Sequence, residues 1–263
     1  MRFSIITPNY NGGSFLEQAI TNIISQVGDG IKLEYIIIDG GSTDCSHEIM
    51  ARYSSKIAIS IIEKDNGPAN AINKGLALAT GDVLAWLNAD DLYYPGTLQR
   101  VRLAMECRPE AAICFGSCPI IDQQGKEIRQ NISRFKEFFY PFSSRFTYQC
   151  INYLSQPALF FRRSAFAQAG PLREDMVAAW DYEFILRLWR CGNAVHVPDT
   201  PLAAFRWHEQ SISGQNFRIQ FQEEYEAARA DAGRFSPQTF IHFFVRWGIV
   251  GIYSLMAWLK KRL

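Results

Sequence analysis

The sequence predicts an α/β fold, with a doubly wound, mostly parallel sheet that carries helices on both faces. Its first half alternates short apolar runs with segments of helical periodicity, the pattern of successive strand–helix–strand units. The run 83–87 is apolar at almost every position, as expected for a parallel strand covered on both sides. A hydrophobic fraction of 48% over 263 residues supplies a core for one large domain, and 20% charged residues exclude wholesale disorder.

The elements follow in order along the first half. Apolar runs predict five strands, at 2–7, 33–39, 57–62, 83–87 and 111–115. Helical spacing and Pro or Gly boundaries predict the four intervening helices, which begin near 14, 46, 68 and 95. Ser14 and Glu17 have the spacing of a capping box, which places the start of the first helix at Ser14.

The second half has a different pattern of residues. It predicts a hairpin at 119–129, a strand at 158–162 and a helix at 180–190. The segment 135–153 is unusually aromatic, and either ordinary core or a mobile aromatic loop over a sugar or lipid explains it.

The tail from 233 to 263 is hydrophobic and amphipathic. Residues 247–259 carry no charge, and three basic residues follow. This run is shorter than the roughly 20 residues that span a bilayer. We therefore expect a helix in the membrane interface, with a true span and packing on the protein core or a dimer partner as alternatives.

Charge, cysteines and the N-terminus limit the classes of function. A net charge of +1 gives no reason to expect a nucleic-acid partner. The six scattered cysteines show no zinc-site spacing, so we expect reduced thiols. The apolar start is too short for a signal peptide, which favours a cytoplasmic protein.

Four polar loops follow predicted strands, where open α/β sheets bind ligands. They read T-P-N-Y-N from residue 7, I-D-G-G-S-T-D from 38, D-N-G-P-A-N-A-I-N-K-G from 65 and N-A-D-D from 88. Adjacent carboxylates at a strand end suit Mg²⁺ or Mn²⁺, which can also bind substrate phosphates. Turns and helix caps would use the same residue types, so each loop alone is ambiguous.

Together, in order and at this spacing, the four segments resemble the family 2 inverting glycosyltransferases, which have the GT-A nucleotide-diphospho-sugar fold. The resemblance covers residues 2–215. It implies that Asp39 contacts the nucleobase, usually uracil, and that the D-x-D metal motif falls on Asn88-Ala89-Asp90. The first aspartate of that motif is asparagine here, and Asp91 is a candidate to compensate. The implied nucleotide-sugar contacts are Thr7, Asn9, Tyr10, Asp39, Asp65, Asn73, Lys74 and Asn88.

The resemblance also places a general base at Asp181, where the family has an E-D motif at a helix start. Trp180 stands in the place of the glutamate, and Glu183 is a weaker candidate for the base. An aspartate of ordinary pKa, near ~3.9, is ionised at neutral pH and can accept the acceptor's proton. Stabilisation of the helix N-terminus alone would also explain Asp181. The segment R-x-H-x-x-S-x-S from Arg206 makes His208 a further candidate ligand, so the implied metal ligands are Asp90, Asp91 and His208.

These implications define the functional hypothesis. Residues 1–232 form the GT-A domain, with a nucleotide-sugar-binding half (1–117) and an acceptor-binding half (118–232). The expected reaction moves a sugar, from a UDP-sugar with Mn²⁺ or Mg²⁺, to a lipid-linked or saccharide acceptor. We expect no nucleic-acid partner, a peripheral location on the cytoplasmic face of the inner membrane, and a possible homodimer. The alternatives are a non-catalytic nucleotide-sugar-binding scaffold and a sugar-phosphate nucleotidyltransferase, although 7–13 lacks the cations of the latter.

Overall fold

A computed structural model describes residues 1–208 and 216–260. Its main sheet has seven strands in the order β10-β6-β9-β4-β1-β2-β3. These strands are β1 (Arg2–Asn9), β2 (Lys32–Asp39), β3 (Ile59–Ile62), β4 (Val83–Trp86), β6 (Ala111–Gly116), β9 (Leu159–Arg162) and β10 (Asn193–Val197). Only β9 runs antiparallel to its neighbours, so the sheet is mostly parallel, as predicted.

A smaller sheet has the order β5-β11-β7-β8. It comprises β5 (Leu92–Tyr93), β7 (Ile120–Ile121), β8 (Glu127–Ile128) and β11 (Ala203–Arg206). The antiparallel pair β7–β8 confirms the predicted hairpin. Strands β5 and β11 were not predicted, because two- and four-residue strands leave almost no periodic pattern.

Helices cover both faces of the main sheet. They are α1 (Gly13–Ile24), α2 (Ser46–Arg52), α3 (Pro68–Leu78), α4 (Thr97–Cys107), α5 (Gln130–Glu137), α6 (Arg145–Cys150), α7 (Arg163–Ala169), α8 (Trp180–Leu188), α9 (Phe217–Ala232) and α10 (Pro237–Lys260). Neighbouring residues of β1 alternate between the two layers: Ile5 packs in the core that contains Leu16 of α1, and Ile6 in the core that contains Leu76 of α3. This double covering confirms the predicted fold class.

The predicted capping box at the start of α1 is wrong. The helix begins at Gly13, and no side chain caps it from the N-cap position. Its first N–H instead donates to Oδ2 of Asp44 at 2.8 Å, and Oδ1 of Asp44 accepts the N–H of Ser46 at 3.0 Å. One carboxylate from the β2–α2 loop therefore stabilises the N-termini of α1 and α2.

The aromatic segment is neither core alone nor loop alone. It forms α5 and α6, with Tyr148 and Tyr153 fully buried and Phe138 and Phe142 exposed. The tail forms α10, which is anchored to α6 because His242 Nδ1 lies 3.0 Å from the backbone oxygen of Gln149. Among the helices described, none is both long enough and apolar enough to cross a membrane.

Candidate active site

The predicted loops meet at one edge of the main sheet, the edge formed by the carboxyl ends of its parallel strands. Strands β4, β1 and β2 are parallel neighbours, so their carboxyl ends lie side by side. Asn9, the last residue of β1, is paired in register with Asp39, the last residue of β2. The acidic loop 88–91 follows β4 at the same edge.

The carboxylate of Asp39 is buried and organises the second loop. Oδ1 accepts the N–H groups of Gly41 (3.0 Å) and Ser42 (2.8 Å) and lies 3.0 Å from Nε2 of His47. Oδ2 accepts the Asn9 amide and the Ser42 hydroxyl, both at 2.6 Å. Burial alone raises the pKa of Asp39, but these hydrogen bonds leave it below its usual value. A carboxylate has about four lone-pair positions, so a nucleobase would have to displace one of these donors.

The first loop offers both a buried and an exposed group. Thr7 is buried and accepts a hydrogen bond from the hydroxyl of Tyr35 at 3.1 Å. Oδ1 of Asn9 is buried and has no hydrogen-bond partner among the described residues. A Cβ atom at Gly12 would lie 2.3 Å from that oxygen, so a larger residue there would force the Asn9 side chain to move. Tyr10 is 68% exposed, and its ring is available to stack on a base.

Asp65 of the third loop lies close to the Asp39 loop. Its Oδ1 accepts the N–H of Gly67 at 2.9 Å. A Cβ atom at Gly40 would lie 2.5 Å from the other oxygen, Oδ2, which shows how closely the two loops approach. The structure therefore brings Asp65 to the edge where Asn9 and Asp39 meet.

Asn73 and Lys74, in contrast, bind the protein itself. The amide of Asn73 donates to the backbone oxygen of Leu172 (2.9 Å) and accepts its N–H (2.8 Å). The Asn73 amide also donates to Glu174 at 2.8 Å, and Lys74 pairs with Glu63 at 2.7 Å. Both side chains fix α3 to its surroundings.

The acidic loop divides its two carboxylates between different roles. Asp91 is buried, and its oxygens accept the N–H of Arg206 (2.8 Å) and the amide of Asn88 (3.1 Å). Burial, followed by the negative charge of Asp90, raises the pKa of Asp91 well above its usual value. Asp90 is partly exposed, so Asp91 and Asn88 shape the loop while Asp90 faces outward.

Arg206 is a component of the site that the sequence analysis did not weigh. Its side chain is buried and donates to the backbone oxygens of Asp90 (2.8 Å), Asp122 (2.9 Å) and Gln123 (2.8 Å), and to Oε1 of Gln18 (3.0 Å). It thereby ties the acidic loop to the β7–β8 hairpin and to α1. The R-x-H segment contained this arginine, but its importance depends on partners distant in sequence.

His208 and Asp90 form a pair suited to a divalent cation. Nε2 of His208 lies 2.9 Å from Oδ2 of Asp90, and the imidazole stacks on Phe15. This is the distance of a hydrogen bond, and an imidazole nitrogen and a carboxylate oxygen are also groups that divalent cations accept as ligands. In the described part of the chain, no cluster of three His, Cys, Asp or Glu side chains could hold a metal. An ion here would complete its shell with phosphate oxygens and water, and the nitrogen ligand favours Mn²⁺ over Mg²⁺. The rest of the R-x-H-x-x-S-x-S segment, residues 209–213, lies outside the described residues.

Asp181 lies in the first turn of α8, directly after Trp180. The ring of Trp180 packs 6.0 Å from that of Trp86, the last residue of β4. The amide of Gln156 donates to the backbone oxygen of Trp86 at 2.8 Å. Glu183, the weaker candidate base, is engaged in an ion pair with Arg187 at 2.8 Å.

Burial raises the pKa of Asp181 to about 6, although the N–H of Tyr182 and the charge of Lys136 partly oppose the shift. A carboxyl group with this pKa is ionised at neutral pH and is a stronger base than an ordinary aspartate. Its environment is therefore appropriate for accepting a proton.

Two further ionisable groups near Asp181 were not predicted. Lys136 donates to the hydroxyl of Ser155 at 3.1 Å, and burial lowers the pKa of Lys136. Glu224 is buried and accepts the amide of Asn152 at 3.0 Å; burial raises the pKa of Glu224 to about 7. No motif marks either residue, because each acquires its environment only through packing of α5 and α9 beside α8.

Comparison with known proteins identifies the family. Residues 4–170 match the family model described as glycosyl transferase family 2. The chain belongs to this family. The resemblance noted in the sequence is thereby confirmed, whereas Asp181, His208 and Glu224 lie beyond the matched segment.

Relatives of moderate similarity extend the match. An uncharacterized glycosyltransferase of Rickettsia conorii is 25% identical over 80% of this chain, which spans 35% of that protein. The O-antigen biosynthesis protein RfbC of Myxococcus xanthus is 28% identical over 76% of the chain, equivalent to 15% of RfbC. A PGL/p-HBAD biosynthesis glycosyltransferase of Mycobacterium bovis is 29% identical, covering 68% of this chain and 67% of the relative.

Solved structures share the fold. Staphylococcus aureus TarS 1–349 in complex with UDP-GlcNAc superposes with a TM-score of 0.70 at 18% identity, covering 88% of this chain and 66% of that one. The mannosyltransferase PcManGT of Pyrobaculum calidifontis, in complex with GDP-Man and Mn²⁺, gives 0.67 at 20% identity, covering 93% and 68%.

Proposed function

We propose that the chain is an inverting glycosyltransferase that moves a sugar from a UDP-sugar to a hydroxyl of a lipid-linked or saccharide acceptor in polysaccharide or glycoconjugate biosynthesis. The observations that carry this proposal are the contact between Asp90 and His208 in the loop after β4, and the raised pKa of Asp181, whose neighbour Trp180 packs on Trp86 at the end of that strand. Family membership, the biosynthetic names of the M. xanthus and M. bovis relatives, and the nucleotide-sugar complexes of the fold neighbours support it.

The donor would lie across the ends of β1 and β2. Tyr10 stacks on the base, and the carboxylate of Asp65 accepts the base N–H beside the loop that Asp39 holds in shape. The first loop has no cation to neutralise the diphosphate. Asp90 and His208 would hold a divalent ion there, and such an ion would stabilise negative charge on the leaving nucleotide.

The metal assignment is tested by calorimetric titration of UDP with and without Mn²⁺. His208→Ala should weaken Mn²⁺-dependent UDP binding about tenfold or more and leave metal-free binding unchanged. Equal losses in both conditions would show that His208 contacts the nucleotide or maintains the fold and does not hold the ion.

Asp181 takes the proton from the acceptor hydroxyl as that oxygen attacks the anomeric carbon from the face opposite the nucleotide, which inverts the configuration. The test is a nucleotide-release assay with Mn²⁺ or Mg²⁺ and a panel of UDP-, GDP- and dTDP-sugars. Asp181→Asn should reduce turnover about 10²-fold or more, while the control Glu183→Gln retains it. Donor binding without turnover, even with membrane lipid acceptors present, would favour the scaffold protein.

The tail is proposed to bind the cytoplasmic face of a membrane as an interfacial helix. Phe240, Phe244 and Trp247 recur at helical spacing on α10 and are exposed. Replacing all three by Ser should abolish co-sedimentation with phosphatidylglycerol-containing vesicles. The control Leu103→Ser removes an exposed apolar side chain from α4 and should have no effect. Unchanged sedimentation of the triple variant would exclude this surface.

A further inference from the structure

Glu223 of α9 clamps the backbone that leads into α8. Its Oε1 accepts the N–H of Val177 at 2.7 Å, and its Oε2 accepts the N–H groups of Ala178 and Ala179, both at 2.9 Å. These three residues immediately precede Trp180, where α8 begins. One side chain thus fixes three consecutive peptide units.

The hydrogen bonds from Glu223 supply the N-terminal capping that α8 lacks. Its N-cap residue, Ala179, has no side chain that can accept a hydrogen bond. A carboxylate near the start of a helix also interacts favourably with the helix dipole. The direction in which α8 starts is therefore set by a residue 44 positions away in the sequence.

The next residue of α9 fixes the opposite side of the same region. Glu224 accepts the amide of Asn152, and Oδ1 of Asn152 accepts the hydroxyl of Tyr148 at 3.2 Å. The ring of Tyr148 packs 4.9 Å from that of Tyr182, which follows Asp181. Two adjacent glutamates of α9 therefore hold the chain before Asp181 and the aromatic packing after it.

We propose that Glu223 is a positioning residue for the general base: it holds the 177–179 backbone so that Asp181 points at the acceptor hydroxyl. The proposal rests on the proposed function of Asp181. It assigns a role in the reaction to α9, which lies entirely beyond the segment 4–170 that matches the family. Small displacements of a reacting group reduce rates by large factors, whereas the donor site at β1 and β2 should be unaffected.

The test compares Glu223→Gln, Glu223→Asp and wild type with the same UDP-sugar and Mn²⁺. Glutamine replaces one accepting oxygen with an amide that cannot accept, so kcat should fall about 10- to 100-fold, with the Kd of UDP unchanged within about twofold. The negative charge of Glu223 raises the pKa of Asp181, so the acidic limb of the pH–rate profile should also move to lower pH. Glu223→Asp keeps the charge and should leave this limb in place.

Hydrogen exchange of the peptide spanning 177–179 gives a readout that needs no turnover, and protection should be lost in Glu223→Gln. The control Glu226→Gln changes an exposed residue of the same helix and should alter neither protection nor rate. Wild-type protection in folded Glu223→Gln would overturn the clamp, and a wild-type rate with lost protection would overturn its role in positioning Asp181. Absence of turnover in the wild type itself would instead count against the proposed function, and loss of protection would still report the clamp.

Discussion

Two aspartates of the site show how the environment of a residue determines its chemistry. Asp39 is buried but receives hydrogen bonds from backbone, amide and hydroxyl donors, and its pKa is lowered. Asp181 receives only the N–H of the next residue, Tyr182, in the described part of the chain, and burial raises its pKa to about 6. Hydrogen bonds to the charged form and loss of solvent act in opposite directions. The charged form of Asp39 is therefore stabilised, whereas the pKa of Asp181 lies close to neutral pH.

The raised pKa of Asp181 predicts a pH-dependent gain of stability in Asp181→Asn. A carboxyl group whose pKa is higher in the folded protein than in the unfolded chain destabilises the fold once it is ionised. This cost is complete above about pH 6 and disappears as the pH falls toward 3.8. Urea unfolding should therefore show Asp181→Asn to be more stable than wild type at pH 8, by up to about 3 kcal/mol, with little difference at pH 4. A difference that did not change with pH would contradict this account.

Lys136 should set the acidic limb of the pH–rate profile. Its positive charge lowers the pKa of Asp181, so Lys136→Met should raise that pKa and move the limb to higher pH. The measurement is kcat/KM across pH 5 to 9, with Lys136→Arg retaining the wild-type profile. Arg134→Met removes an exposed cation from the same helix and serves as the control. A limb unmoved in Lys136→Met would show that the ammonium group does not act on Asp181.

Among the secondary-structure elements, α3 and β1 pack closely and hold the end of β1 in place. A Cβ atom at Gly75 of α3 would lie 2.5 Å from Cγ2 of Ile6 in β1. The helix therefore approaches β1 more closely than any residue larger than glycine would allow.

This contact predicts that Gly75→Ala destabilises the protein, even though alanine is the better helix former. Overpacking should cost about 1–3 kcal/mol, measurable as a lower urea midpoint. The control Gly28→Ala places a methyl group where no atom lies within 4 Å and should be nearly neutral. Equal midpoints for the two variants would show that β1 and α3 can separate without cost.

At the scale of the whole molecule, the site joins two distant parts of the chain. Asn9, Asp39 and Asp90 lie at or just after the ends of the first strands, whereas His208, which contacts Asp90, comes from the second half. Arg206 connects them through hydrogen bonds to the acidic loop, the hairpin and α1. Ligand binding at the edge of β1, β2 and β4 should therefore stabilise the entire fold.

Thermal unfolding tests this linkage. UDP with Mn²⁺ at about 100 times the Kd should stabilise the folded state by about 2.7 kcal/mol, seen as a rise of a few degrees in Tm. Asp90→Asn should lose most of the Mn²⁺-dependent part of the rise, and Asp122→Asn, at the hairpin turn, should keep it. An equal rise for the wild type and Asp90→Asn would remove Asp90 from the metal site.

The amino-acid sequence alone predicted the order of the main-sheet strands and their helices in the first half, the hairpin, and the polar loops after β1, β2 and β4. These features are local: apolar periodicity, turn residues and strand-end carboxylates lie within a few positions of one another. The same local patterns, in order, were enough to predict the family. They failed at the start of α1, where the capping group, Asp44, comes from another loop.

Which polar side chains face the site depends on contacts between distant parts of the chain. Asp90 and Asp91 are neighbours in sequence, yet their contacts differ. Asp91 is buried and accepts the backbone N–H of Arg206, whereas Asp90 contacts the imidazole of His208. Lys136 and Glu224 approach Asp181 from helices whose sequences carry no motif. Burial and charge are long-range properties of the packed chain, so proton affinities and partners emerge only when elements distant in sequence are brought together.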